Sequence, residues 1–364
     1  MNKIILFSKK ILKALKVFIS RVLADGGIIE SMKYVNSVLK TVSDATLVLI
    51  PSAYKTGVLY SILPEDGTGD FTASRNSVAT RINPNGLIEE VGVNIPRIDY
   101  TDGTPVLLTE PQSTNLYLNS DILVSQNITT LASDYTVSFY GLGTINFTGT
   151  YTGSLVGTGL NDRVQLTFTA TAGTLISTVV GVATYGQCEN LPYATSYIPT
   201  AGATATRLGE LVTDGGDVNT FNSEEGVLFV EMSALVNGGA DRTMSISDGT
   251  SQNKIELIYH LTENRVNFRS TVGNSLGVNM STLIYNQTET LKIACKYSLN
   301  DFALWVNGVE LVTNVSGAVS PPNTLTTLYF NNGAGGSPLF AKTKQIQVFK
   351  TALTDEELTE LTTL

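Results

Sequence analysis

Short segments in which every second residue is apolar fill this chain from about residue 46 onward. The segments 135–139 and 164–168 alternate in this way, and a period of two places the apolar side chains on one face of a β-strand. Turn formers separate such segments, and Asn85-Gly86 and Asn307-Gly308 are pairs that favour two-residue hairpin turns. Evenly spaced short strands with turn signals are typical of sandwiches. The sequence therefore predicts a mostly β protein with tandem antiparallel β-sandwiches.

Length and composition fit more than one such sandwich. The chain has 364 residues, of which 42% are hydrophobic and 15% are charged, against about 25% charged residues in ordinary soluble domains. We predict a helical, basic N-terminal anchor at 1–45, a turn-rich connector at 46–115, a small β-sandwich at 116–205 and a larger β-sandwich at 206–364. No stretch of the sequence approaches the roughly 20 apolar residues of a membrane-spanning helix.

The first 45 residues differ from the rest in period and in charge. Residues 1–40 hold eight Lys/Arg and two Asp/Glu, a net charge of +6, so the total of −9 leaves −15 for the remaining chain. An apolar stripe at helical spacing predicts a short α-helix that docks on a negatively charged partner; a solvated amphipathic pair and a membrane-surface helix are the alternatives. An acidic body argues against a nucleic-acid surface there. The basic residues assigned to the anchor also interrupt the apolar run that a secretory signal needs; they are Lys3, Lys9, Lys10, Lys13, Lys16 and Arg21.

Residues that commonly form disulfides or bind metals are few. Cys188 and Cys295 lie far apart in apolar or alternating stretches, so we predict free buried thiols, with a single disulfide as the alternative. His260 is interpreted as an ordinary residue at a strand end. Asp214 and Asp217 flank two glycines; we interpret them as part of a turn between the sandwiches, with a Ca²⁺ site as the alternative.

A longer pattern between residues 70 and 210 resembles a segment of bacteriophage fibre and tail-associated proteins. It consists of FTASRNSVATRIN at 71–83, NGLIE at 85–89, PRIDY at 96–100, LLTEPQSTNL at 107–116, QCEN at 187–190, ATSYIPT at 194–200 and TR at 206–207. The whole order of segments is similar to fibres of phages that infect gut Bacteroidetes, including crAss-like phages. In that group such proteins are head fibres or tail fibres. The first 45 residues lie outside this pattern.

The C-terminal part resembles a laminin-G/concanavalin A-like jelly roll. The matching pieces are LWVNG at 304–308 and VFKTALTDEEL at 348–358, and Thr354 and Glu357 within the second piece have the spacing of a helix capping box. The resemblance implies a fold that is widely reused for binding carbohydrates and proteins. Tyr151, Tyr285 and Trp305 are candidates for stacking on sugars through their apolar faces; for Trp305, packing in the sheet is the favoured interpretation.

Catalytic patterns are missing from the sequence. Glycoside hydrolases need two carboxylates held about 5–10 Å apart, and no strand carries alternate acidic residues in the spacing that would supply them. There is no G-x-S-x-G elbow and no Walker loop. From the sequence we therefore expect no catalytic residues, no cofactor, no bound metal and no enzymatic activity.

These observations predict a structural virion fibre subunit, on the head or the tail, anchored by its N-terminus and presenting β-sandwiches to host-surface glycans. We expect it to be made in the host cytoplasm and to reside on the particle surface. Its expected partners are capsid or tail proteins, and the resemblance to phage fibres implies that a symmetric oligomer would contain three copies of the chain. The loops at 236–242, 271–287 and 331–338 are predicted to carry recognition. The alternatives are a carbohydrate-binding adhesin outside any virion and a polysaccharide depolymerase.

Overall fold

The structure is a computed structural model that describes residues 44–284 and 286–364. Two predictions fall outside the described residues. They are the N-terminal anchor helix, with Lys3, Lys9, Lys10, Lys13, Lys16 and Arg21, and the candidate sugar-binding residue Tyr285.

The strands are short, and every pairing between them is antiparallel. Segment 44–115 contains β1 (Ala45–Leu49), β2 (Tyr54–Lys55), β3 (Val58–Leu59), β4 (Phe71–Ser74), β5 (Ala79–Ile82), β6 (Ile88–Val91), β7 (Ile98–Asp99), β8 (Val106–Leu108) and β9 (Ser113–Asn115). Segment 116–223 contains β10 (Gln126–Thr130), β11 (Ser133–Gly141), β12 (Thr144–Gly149), β13 (Gly153–Val156), β14 (Gly159–Ala170), β15 (Gly173–Val180), β16 (Ala183–Glu189), β17 (Ala205–Arg207) and β18 (Leu211–Thr213).

Segment 224–364 contains the remaining strands and one α-helix. They are β19 (Glu225–Ala234), β20 (Arg242–Ser247), β21 (Lys254–Tyr259), β22 (Arg265–Val272), β23 (Ser275–Leu283), β24 (Leu291–Ser298), β25 (Phe302–Val306), β26 (Val309–Asn314), β27 (Thr327–Tyr329), β28 (Ala341–Phe349) and α1 (Asp355–Thr362). The prediction of a mostly β chain with tandem antiparallel sandwiches is confirmed. Among the described residues, no helix has the length and apolar character needed to cross a membrane.

The larger sandwich packs an eight-stranded sheet against a five-stranded sheet. The first has the order β26-β25-β24-β19-β28-β8-β7, with β1 paired to β28, and the second has the order β23-β22-β21-β20-β27. One apolar cluster contains Leu228 and Ile346 from the first sheet together with Leu257 and Phe268 from the second. The two sheets therefore share one buried core, as expected when apolar residues alternate along each strand.

The second face of the eight-stranded sheet is also covered. Strand β19 reads VLFV over residues 227–230, and Phe229 packs in a separate cluster with Val48 of β1 and Leu358 of α1. A strand that is buried on both faces has a continuous apolar run. The capping box that begins α1 is confirmed: the Glu357 amide donates to the Thr354 hydroxyl, and the Thr354 amide donates to the Glu357 carboxylate.

The smaller sandwich packs the sheet β10-β15-β12-β13 against the sheet β14-β11-β16. Its core contains Val137, Phe139, Phe147 and Phe168. Cys188 lies in this core, Cys295 lies in the core of the larger sandwich, and both cysteines are free.

The chain enters and leaves the smaller sandwich side by side. Strand β9 pairs with β17, and Ser113 lies opposite Arg207, so the smaller sandwich is an insertion between parts of the larger one. Strands β1, β7 and β8, which belong to the predicted connector at 46–115, pair into the eight-stranded sheet instead. The observed pairing thus crosses the predicted boundary at residue 206, because edge positions of the large sheet are filled by strands that precede the insertion.

The two Asn-Gly hairpin predictions have different outcomes. Asn307-Gly308 forms the predicted two-residue turn: Val306 pairs with Val309, and both turn residues have positive φ. The turn at Asn85-Gly86 is longer than predicted, because Ile82 pairs with Ile88 and leaves the five-residue loop 83–87. Pro84 is the second residue of the turn 83–86, a position at which type I turns favour proline. The Gly86 amide closes this turn by donating to the Asn83 carbonyl.

Candidate functional site

The polar face of the smaller sandwich is turned toward the larger one. In β11, Val137 and Phe139 point into the core, so the alternation places Ser138 and Tyr140 on the opposite face. Tyr140 lies opposite Arg163 of β14, and Ser138 lies opposite Gln165. Directly opposed residues in an antiparallel pair share a face. These four side chains therefore form one polar surface.

Tyr140, Arg163 and Gln165 of this surface form the floor of a cavity of about 500 Å³, which we call the junction cleft. One wall comes from β5–β8 and the loops between them, the second from the larger sandwich, and the third from the segment after β16. The lining residues are Thr80, Arg81, Ile82, Ile88, Asp99, Thr101, Asp102, Leu108, Glu110, Tyr140, Arg163, Gln165, Tyr193, Ala194, Thr195, Ser196, Tyr197, Ser233, Ala234, Leu235, Thr288, Thr290 and Lys342. Ligand sites commonly occupy such cavities at the meeting of domains.

Tyr140, Tyr193 and Tyr197 line this cleft, and Tyr185, which is not part of the lining, contacts two of their rings. Tyr140 and Tyr185 meet edge to face with ring centroids 5.9 Å apart, and Tyr185 meets Tyr197 in the same manner at 5.2 Å. Tyr193 is half-buried in the third wall. Burial raises the pKa of the Tyr193 hydroxyl, and the negative charge of Glu110 adds to the effect. Tyr193 therefore presents a neutral hydroxyl, which can donate and accept hydrogen bonds.

A buried network of charges supports the third wall of the cleft from behind. We call Arg75, Arg97, Glu110, Arg207 and Glu210 the arginine–glutamate cluster. Nη1 of Arg97 lies 2.7 Å from the Glu110 carboxylate, Nη2 of Arg97 lies 2.7 Å from Glu210, Arg207 lies 2.6 Å from Glu110, and Arg75 lies 3.0 Å from Glu210. All five side chains are at most 6% exposed.

Glu110 is the centre of this cluster and also holds the third wall in place. Its carboxylate accepts hydrogen bonds from the Ser196 amide and hydroxyl, at 2.8 and 2.7 Å. Burial by itself would raise the pKa of Glu110, but Arg207, Arg97 and the Ser196 hydroxyl outweigh it and lower the pKa to about 2. The side chain is therefore a carboxylate at any physiological pH, as an ion pair of this kind requires.

The cluster consists almost entirely of residues from the fibre-like pattern. Arg75, Arg97, Glu110 and Arg207 all lie in it. Glu189, a fifth pattern residue, accepts hydrogen bonds from Ser113, Gln187 and Thr195 in the same buried region. The pattern thus encodes a polar core at the place where the smaller sandwich joins the larger one.

The predicted metal and sugar candidates lie elsewhere. Asp217 accepts hydrogen bonds from Asn219 and Thr220, which is the arrangement of a turn, and Asp214 accepts from Thr213. Within residues 44–284 and 286–364, no group of three or more His, Cys, Asp or Glu is arranged to hold a metal ion.

The aromatic candidates are mostly used in packing. Trp305 is 6% exposed and packs in the cluster between the eight-stranded sheet and α1, so a sugar ring cannot reach its face. Tyr151 stacks on Phe168 with ring centroids 4.1 Å apart. Tyr285 lies outside the described residues. His260 follows β21 as predicted and accepts a hydrogen bond from the Thr262 amide.

Sequence reasoning missed the residues that line the junction cleft. Tyr140 and Arg163 occupy polar positions of strands whose apolar positions were recognised. The alternation therefore showed that both side chains point away from the core, and this was the available signal. Nothing local in the sequence shows that the outward face of β11 and β14 meets a second sandwich. The role of Glu110 was missed for the same reason, because its partners lie between 13 and 97 residues away.

Comparisons with known proteins find solved structures that resemble part of this chain. No family model matches the chain, and no curated protein matches it. The carbohydrate-binding CBM40 domain of Ruminococcus gnavus IT-sialidase, bound to α2,3-sialyllactose, matches with 15% identity and a TM-score of 0.34, covering 39% of this chain and 83% of that one. Domain 4 of AbnA, an arabinanase from Geobacillus stearothermophilus, matches with 12% identity and a TM-score of 0.36, covering 47% and 80%.

A third match is the β-glucanase of Bacillus licheniformis, with 15% identity and a TM-score of 0.31, covering 40% of this chain and 72% of that one. None of these three is a phage fibre protein. At these scores and identities the matches assign no function to this chain.

The matches nevertheless correct one prediction. One of the three matches is named as a β-glucanase, and the other two are domains of proteins named as a sialidase and an arabinanase. This likeness overturns the prediction that the chain has no enzymatic activity, and it assigns no activity to the chain.

Proposed function

We propose that this protein binds glycans, and that the junction cleft is the binding site. The observation that supports this is the combination, in one cavity of about 500 Å³, of tyrosine rings with hydroxyl, amide and guanidinium groups. Sugars present apolar C–H faces that pack on aromatic rings and hydroxyl groups that bond to polar side chains. Cavities of roughly 300–1,000 Å³ suit ligands of the size of a short oligosaccharide.

Removing a tyrosine from the cleft tests the proposal. Titration calorimetry with oligosaccharides from host surface polysaccharide should detect binding, and Tyr193→Ala should weaken it by about tenfold, since loss of one stacked ring costs about 1.4 kcal/mol. Tyr329→Ala is the matched control, because Tyr329 is equally half-buried but lies on β27 outside the cleft. Unchanged affinity in Tyr193→Ala would place binding elsewhere. Assaying the same mixtures for new reducing ends distinguishes binding alone from cleavage.

We also propose that the chain serves as a fibre subunit on a virion. The support is the pattern at 71–207, which resembles phage fibre segments and supplies four of the five residues of the arginine–glutamate cluster. A fixed junction between sandwiches suits a projecting fibre, because loops then keep their position relative to the anchor. The homotrimer and the basic anchor at 1–45 belong to this proposal.

Deleting residues 1–45 tests the fibre role. The deletion variant should fold and should fail to enter particles, because the basic segment that would dock on the particle is gone. Sedimentation of the full chain should give a mass of about three times 38.9 kDa. Normal incorporation of the deletion variant into particles would contradict the anchoring role of residues 1–45. A monomeric full chain at micromolar concentration would contradict the homotrimer.

A further inference from the structure

Arg163 carries a positive charge that the described residues do not neutralise. Its guanidinium lines the junction cleft, and its only hydrogen bond within residues 44–284 and 286–364 runs from Nη2 to the Ser138 hydroxyl, at 2.8 Å. No carboxylate of the described residues lies within ion-pair distance of it, and its Nε–H is shielded without an acceptor. An arginine that is half-buried without a counter-charge is unusual, because charged groups away from water are normally paired.

The other two cationic side chains that line the cleft are paired with carboxylates. Arg81 lies 2.7 Å from the Glu89 carboxylate, and Lys342 lies 2.9 Å from Asp102. These two pairs leave the Arg163 guanidinium as the one cation of the lining without an anionic partner among the described residues.

The remaining anions of the lining are also engaged. Glu110 is paired with two arginines of the arginine–glutamate cluster. The Asp99 carboxylate accepts from the Ile82 amide at 2.8 Å and from the amide and hydroxyl of Thr101 at 2.9 and 2.6 Å. The Asp99 carboxylate is thus held by an amide of β5 and by the amide and hydroxyl of the nearby Thr101. An anion that enters the cleft therefore meets the unpaired guanidinium beside the Tyr140 ring, and the acidic side chains are already occupied.

We propose that the junction cleft selects acidic sugars, and that Arg163 binds the carboxylate of a uronate-type or sialate-type residue. The inference rests on the proposed glycan-binding function and adds the ligand class to it. A guanidinium offers parallel N–H groups that match a carboxylate in shape and charge, and such charge-assisted bonds are stronger than bonds between neutral groups. Tyr140 lies directly opposite Arg163 across the strand pair, so a ring face and a charge are available to the same sugar unit.

Matched acidic and neutral sugars test the selection. The probes are trigalacturonic acid against its carboxyl-reduced form, and 3′-sialyllactose against lactose, measured by calorimetry at low and at high salt. At least one acidic probe should bind about tenfold or more tightly than its neutral counterpart. The advantage should narrow as salt screens the charge.

Three variants separate the charge of Arg163 from its packing. Arg163→Met should remove most of the advantage of the acidic probe over its neutral counterpart, because the positive charge is gone. Arg163→Lys should keep part of the preference, because the charge remains and the planar fork is lost. Arg269→Met is the matched control, since the Arg269 side chain bonds to Asn279 and to no other described residue, and lies on the larger sandwich outside the cleft.

The outcomes distinguish this inference from the function on which it rests. Equal affinity of the wild-type protein for acidic and neutral probes, or a preference that survives in Arg163→Met, would overturn acid selection while leaving glycan binding intact. Binding of neither member of either pair would overturn both proposals.

Discussion

Replacing Glu110 by glutamine is expected to lower the free energy of unfolding by about 3–5 kcal/mol, since removing one partner of a buried ion pair leaves the other charge uncompensated. Arg97 and Arg207 both lie against the Glu110 carboxylate, and their side chains are at most 1% exposed. Glutamine keeps the size of the side chain, so the loss reflects charge rather than a cavity. Urea unfolding of the purified protein at neutral pH measures the change.

Glu89→Gln is the matched control for this experiment. Glu89 also pairs with an arginine, Arg81, at 2.7 Å, but its side chain is 43% exposed. Exposed pairs contribute about 0–1 kcal/mol, so this variant should unfold close to the wild type. A Glu110→Gln protein that is as stable as Glu89→Gln would show that the buried cluster contributes little net stability.

Local pattern predicted several strands and turns correctly. The alternation at 135–139 and 164–168 corresponds to parts of β11 and β14, and Asn307-Gly308 forms the predicted turn. These features depend on neighbours in sequence, since the period of two and the turn conformation are properties of a few consecutive residues. For the same reason the capping box at Thr354 was predicted correctly.

Features that depend on distant partners were missed. Strand β23 lies in a segment that was predicted to be a recognition loop, 271–287. Gly277 and Asn279 interrupt its pattern, although Val278 and Met280 reach the core. Likewise, β7 and β8 are too short to be recognised alone and exist as parts of the eight-stranded sheet. Long-range pairing decides these elements, and single-sequence patterns do not contain it.

In the candidate site, too, residues were recognised from the sequence while the contacts between them were not. The fibre-like pattern identified Arg97, Glu110 and Arg207 without a role, and the structure places all three in one buried cluster. For Trp305 the favoured interpretation was packing in the sheet, with sugar stacking as the alternative, and the structure packs it in the cluster that includes Leu358 of α1. Arg163 was overlooked because an isolated arginine on a polar strand face is ordinary until the opposite wall of a cavity is known.

Acid should remove much of the stability that Glu110 provides. The pKa of Glu110 is lowered from an ordinary 4.5 to about 2 in the folded protein, so between these values the unfolded chain takes up a proton that the folded protein does not. The stabilisation is therefore complete above about pH 4.5 and is lost as the pH falls toward 2. A difference of this size corresponds to about 3 kcal/mol, at about 1.4 kcal/mol for each pKa unit.

Other carboxylates also protonate in this range, so the contribution of Glu110 is obtained as a difference. The gap in unfolding free energy between wild type and Glu110→Gln should be widest at pH 6 and should narrow by about 3 kcal/mol between pH 4.5 and pH 2. The gap narrows because a protonated Glu110 resembles the glutamine that replaces it. Urea unfolding of both proteins at four or five pH values provides the measurement. A gap that stays constant from pH 6 to pH 2 would mean that Glu110 gains no ionic stabilisation from Arg97 and Arg207, whatever the distances between them.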